Sequence, residues 1–142
     1  MQLRILLSTI LLLVVSSLFG QFSKTVHHTF EADSAQTISV EVQGEVSIEN
    51  WEGNTVLVET NIRVYNASKS LFEFMVEEQG RYEVLADLSG NSLKITSKDK
   101  ERRIIQTKKG QANEEVLVRV RLPKRFNVDG SGPYASIPDE GR

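Results

Sequence analysis

From Thr37 to Val64 the chain alternates apolar and polar residues with a period of two, and no other feature limits the fold as severely. Ile38, Val40, Val42, Val46 and Ile48 occupy even positions, with Gly44 among them, while Ser39, Glu41, Gln43, Glu45, Ser47 and Glu49 occupy odd ones. Successive side chains of a strand point to opposite faces, so this pattern buries one face and wets the other. No helix would place these residues on one side. Gly44 marks a bulge, bend or tight turn. Trp51-Glu52-Gly53-Asn54 supplies turn chemistry, and the following strand sets Val56, Val58, Thr60, Ile62 and Val64 on one face.

The period changes once. Between Ala67 and Gln79 the spacing of Leu71, Phe74 and Met75 predicts a short helix, capped by Asn66 or Ser68 and stopped by Gly80. Alternation returns in Tyr82, Val84, Ala86 and Leu88, and Ser89-Gly90-Asn91-Ser92 turns the chain into a return strand begun by Leu93 and Ile95. Residues 98–113 are charge-dense and read as a long exposed hairpin loop or a mobile excursion. Val116, Val118, Val120 and Leu122 form a further strand ended by Pro123, and Phe126 with Val128 a last short one. The expectation is an all-β domain over 21–132, with β-solenoid-like or sandwich-like sheets and one helix near 67–79. Residues 133–142 are expected to be an irregular tail or the stump of a truncated domain.

Residues 1–20 read as an address and not as part of the fold. Arg4 precedes an apolar run from Ile5 to Val15, and Gly20 offers a small residue before Gln21. The run is shorter than the roughly 20 residues that cross a bilayer, so a cleaved signal peptide is expected in preference to a transmembrane helix. Cysteine is absent, which excludes disulfides, thiolate metal sites, cysteine nucleophiles and a lipobox together. The expected location is therefore the periplasm, the cell surface or the extracellular space, with burial alone holding the fold. The formal charge of −2 argues against nucleic acid as a partner. That charge is unevenly spread: 21–90 carry 12 acidic and 4 basic residues, whereas 91–142 carry 7 and 12. Acidic early strands lying beside basic late ones would explain the asymmetry; head-to-tail association or an acidic polymer is the sharper alternative.

Few residues suggest chemistry. His27 and His28 are adjacent in an extended segment, so they point to opposite faces and cannot readily grip one metal; Glu31 and Asp33 nearby share a turn-prone stretch. Ser97-Lys98-Asp99-Lys100 spells S-x-x-K, a nucleophile motif elsewhere, yet it stands in a charged stretch without partner motifs. Ser131 lacks the G-x-S-x-G context, and no phosphate-binding glycine motif occurs. The neighbouring carboxylates Glu77-Glu78 and Glu114-Glu115 splay apart on either a helix or a strand and read as solvated charge. Trp51 and Tyr65, at strand ends, read as edge packing before a sugar platform. No catalytic, cofactor-binding or metal-ligating residue is therefore assigned.

Ile38 to Trp51 resembles the opening of a bacterial adhesin-like family of envelope proteins, whose β-solenoid-like domains use short V-x-V-x-x-x-G-x-V-x-I units. Val56-Leu57-Val58, the G-N-x-L-x-I run from Gly90 to Ile95, and Val118 to Pro123 leading to Gly130 follow in the family's order, over about residues 30–132. In that family glycine-punctuated units continue after the Leu-Pro strand; here Ser131-Gly132-Pro133-Tyr134 follows instead. The resemblance implies a non-catalytic adhesin-like or scaffold module that binds a protein or a cell-surface polymer. A periplasmic sensing or regulatory domain is the alternative, and a small hydrolase using His27 or His28 a weaker one. An unfinished array exposes a strand edge, expected near Val116–Leu122 or Phe126–Val128, through which copies could self-associate.

Overall fold

The computed structural model describes residues 21–138; 1–20, with the predicted signal peptide, and 139–142 lie outside the described residues. At Gly44 the alternating run divides, and its two halves enter different sheets. Strand β2 (Thr37–Glu41) pairs in parallel with β6 (Ser92–Ser97), and β3 (Glu45–Trp51) pairs in parallel with β8 (Gly110–Pro123). The corner is tight: Gly44 has φ +122°, and a Cβ there would lie 2.8 Å from the Val116 carbonyl oxygen.

The larger sheet runs in the order β1 (Phe22–Glu31), β4 (Thr55–Tyr65), β8, β3, with β7 (Ile105–Thr107) folded as a hairpin onto the start of β8. The smaller runs β5 (Val84–Ser89), β6, β2, β9 (Tyr134–Ala135). The architecture is mainly β, built from curled sheets, the larger resembling a half-barrel more than a regular solenoid. Between β4 and β5 lies α1 (Lys69–Glu73), whose first turn is capped by the Ser68 hydroxyl accepting from the Leu71 N–H and which continues as a π-helical turn over Phe74–Glu78. Among the described residues no helix is long and apolar enough to cross a membrane.

The core fills the space between the sheets. Val56, Val58, Ile62 and Val64 of β4 face Val116, Val118, Val120 and Leu122 of β8 across an antiparallel ladder, and Ile38, Leu93 and Ile95 of the smaller sheet close over them. Fully burying such a side chain stabilises the fold by about 1.5–3 kcal/mol, and without disulfides this burial is the main source of cohesion. Phe72 and Met75 extend the core from the helix, and Phe126 and Tyr134 from the end of the domain. Arg125 ties that end to the early chain: its guanidinium donates to the carbonyls of Ala32 and Ala35 and its carbon lies 4.3 Å from the Phe126 ring centroid.

Several expectations are corrected. The Val116–Leu122 stretch is not an edge, because β8 lies between β4 and β3; the free edge of that sheet on this side is β3. Phe126 to Val128 is not a strand: Phe126 makes an isolated bridge to Ser136 and is wholly buried. Residues 133–138 are not a loose tail, since β9 pairs with Thr37 and Ile38 and buries Tyr134. In the helix the buried stripe runs through Phe72, Met75 and Val76, at i, i+3 and i+4, so Phe74, which the expected spacing set on the stripe, is exposed. The charged stretch 98–113 does hold the expected hairpin, in which β7 and the first residues of β8 pair.

The corner makes a quantitative demand. Replacing Gly90, also at positive φ but with open space where a Cβ would go, costs about 1–2 kcal/mol for the backbone conformation alone. Gly44→Ala adds a collision with backbone and is expected to lose more than Gly90→Ala in urea unfolding at constant m. Equal midpoint shifts would show that the corner is not tight.

Candidate functional site

Strand β3 is the least covered part of the alternating run. Among the described residues its far side has no neighbouring strand, and β9 covers β2 only at Thr37 and Ile38, so Ser39–Glu41 also lack a strand partner on that side. Between these two bare edges lies an open groove floored by Val40, Val46 and Ile48 and walled by Val128, Gly130, Ser131 and Tyr134. Val46 is 39% exposed although the pattern places it on the buried face. The reason is positional: an edge strand's inward side chains are covered only if something packs over the open end.

The outward face of the larger sheet is a charge ladder. In register, Arg119 lies between Ser47 of β3 and Glu59 of β4, and Arg121 lies beside Glu49. Glu49 accepts from Arg121 Nε at 2.8 Å and has Arg119 Nε at 3.8 Å; Arg63 sits 3.8 Å from Glu115, and His27 Nε2 is 3.3 Å from Glu59. Acidic β3 and β4 thus lie against basic β8, as the sequence asymmetry suggests. Exposed pairs of this kind contribute about 0.2–1 kcal/mol each. Glu45 stands opposite Leu117 and, among the described residues, forms no ion pair.

At the other end of β8 a buried polar cluster joins three segments. Arg81, only 4% exposed, donates from Nη2 and Nε to the two Glu114 oxygens at 2.6 and 3.1 Å, and from Nη2 also to the Arg103 carbonyl. The Tyr82 hydroxyl donates to Glu114 at 2.6 Å, and Arg102 lies 5.1 Å over the Tyr82 ring while donating to the Gln43 carbonyl. Burial and the adjoining Glu114 carboxylate push the Tyr82 phenol well above its ordinary value. Burial opposes the Glu114 charge, but the bonds from Arg81 and Tyr82 outweigh it and hold the carboxyl below its usual range. Removing one member of such a pair costs about 3–5 kcal/mol because the other charge stays buried. The cluster fastens the Gly80–Glu83 turn and the 99–104 segment to the sheet. Arg81 also lines an open surface depression with Lys98, Lys100 and Arg103, and we read the cluster as structural.

The residues singled out by sequence are dispersed. His27 points outward to Glu59, whereas His28 points inward, its ring stacked 6.2 Å from Phe30 and its Nδ1 buried without a partner. The two faces separate as expected. Ser97 does not lie in a charged loop: it ends β6, buried, and its hydroxyl accepts the Gln43 N–H at 2.8 Å beside the corner. Glu115 is an outward surface charge, but Glu114 is not, which sequence reasoning missed; the signal available was its even position in line with Val116 and Val118. Glu77 pairs with Lys24. Trp51 donates to the Thr55 carbonyl and covers Gly53, packing the β3–β4 turn, and the Tyr65 hydroxyl donates to Glu115. Among the described residues no three His, Asp or Glu side chains gather as a metal site would require. Comparison with protein-family models, curated proteins and solved structures finds no match to this chain.

His28 carries a pH dependence. Burial lowers its pKa below 6.5, with His27 acting in the same sense and Glu83 against it. The unfolded chain therefore binds a proton that the folded chain resists, and stability falls as pH drops below about 6.5. His28→Phe, which keeps a ring against Phe30, is expected to flatten the decline in Tm between pH 7.5 and 5.5. An unchanged slope would exclude His28 as its source.

Proposed function

We propose that this chain is an exported, non-catalytic adhesin-like or scaffold module of the cell envelope, binding a protein or polymer partner through the β3 edge and its groove. The observation that carries this reading is the exposed apolar side of an unpaired strand. Patches of that kind on a folded surface mark interaction sites, and natural sheets otherwise shield long bare edges. The order of strand motifs, the parallel pairing of β2–β3 with β6–β8 as two solenoid-like arms, and the apolar run at residues 5–15 support the same reading. His27 and His28 face opposite sides of β1, and Ser97 has its hydroxyl committed to the corner, so these groups do not converge on one reacting atom.

The reading is tested by equilibrium binding of the protein to purified envelope polymers and to proteins of the envelope fraction. Val46→Asp is expected to weaken the interaction by about tenfold, as for a central apolar contact. The His27→Ala, His28→Phe double variant should bind within about twofold of the parent. A turnover abolished by that double variant, or a bound partner indifferent to Val46→Asp, contradicts the proposal.

A further inference from the structure

We infer that the β3 edge accepts an extended strand from a different protein, one with aliphatic side chains at inward positions and Lys or Arg at outward ones. The inference rests on the binding-module reading above and names the partner's chemistry.

The inner side of the same arm shows what it takes. Residues 37–53 contain four Glu and no Lys or Arg. The strands already paired with the arm supply the missing cations: Lys94 of β6 reaches Glu41 at 3.2 Å, and Arg121 and Arg119 of β8 flank Glu49. Both also send aliphatic side chains inward, Leu93 and Ile95 from β6, and Val118 and Val120 from β8. A strand on the far side of β3 would meet the same backbone geometry, the same row of Glu45, Ser47 and Glu49, and the apolar groove of Val40, Val46 and Ile48. In strand addition, backbone hydrogen bonds supply affinity and alternate side chains supply specificity. Glu45, without an ion pair in the free protein, is the charge a partner would answer.

A second copy of this chain fits poorly. Two β3 strands side by side would align acidic rows, which is destabilising. The other edges are no better: β1 offers Ser23, Thr25, His27, Thr29 and Glu31 outward, and β5 offers Leu85, Asp87 and Ser89, with neither Lys nor Arg. β9 has only two residues and β7 only three, Ile105, Gln106 and Thr107, none of them basic. The basic strands β6 and β8 are interior and occupied.

The probe is a synthetic peptide carrying the sequence Glu114–Pro123, titrated into the protein and followed by residue-resolved NMR shifts. The expected result is a footprint on 45–51 and the groove. A peptide with both arginines changed to glutamate should bind about tenfold more weakly, and Glu45→Lys should weaken the parent peptide and favour the reversed one. Equal binding of the two peptides, a footprint on β1 or β5, or a dimer formed through β3 in sedimentation overturns the inference. If the basic peptide fails while an envelope ligand still depends on Val46, the inference falls alone. If Val46→Asp affects no ligand either, both readings fall.

Discussion

Parallel pairing on either side of the Gly44 corner is the constraint on which this structure depends. One alternating run is long enough to make a single strand of fourteen or more residues, yet it serves two sheets. The backbone approaches Val116 too closely for any side chain at the corner, and the Ser97 hydroxyl and the Arg102 guanidinium each bond to Gln43 beside it. Ile38 can therefore face the smaller sheet's partner Leu93 while Ile48 faces Val120 of the larger. With the corner in place the two sheets are spaced to share one core.

The same corner leaves one flank of the molecule open. β8 is satisfied on both sides, by β4 and by β3, and its basic outward residues meet acidic neighbours on each. β3 is satisfied on one side only. Its inward valine and isoleucine rest partly on Val128 and Tyr134, which close the end of the core without covering the strand. Exposure here follows from topology, and the Arg81–Glu114–Tyr82 cluster reaches the corner through Arg102 and Gln43 without covering the β3 edge.

Much of the architecture was legible in the alternation itself. The inward set Val56, Val58, Thr60, Ile62 and Val64 is buried without exception, and the turns at Trp51–Asn54 and Ser89–Ser92 fall where glycine and asparagine place them. What the pattern could not give was pairing. Nothing in Val116–Leu122 distinguishes a central strand from an edge, since both alternate alike, and so alternation alone does not locate the open edge. β1 was hidden because Lys24 and His28 interrupt its inward row of Phe22, Val26 and Phe30. Tyr134 looked like part of a tail because two residues carry no period, although one aromatic ring suffices to anchor them to β2. The polar cluster is harder to read: the even position of Glu114 sets it on the inward face, but its partner Arg81 lies thirty-three residues earlier and no local pattern joins the two.

The central claim is that the run splits at Gly44 and leaves β3 a free edge. Native-state amide hydrogen exchange of the unliganded protein tests it most directly. The account predicts slow exchange along β4 and the paired length of β8, but an alternation of slow and fast amides from Glu45 to Trp51, as every second N–H points to water. Uniform protection of 45–51 in the monomer, or protection running unbroken from Ile38 through Ile48 as in one continuous strand, would contradict it.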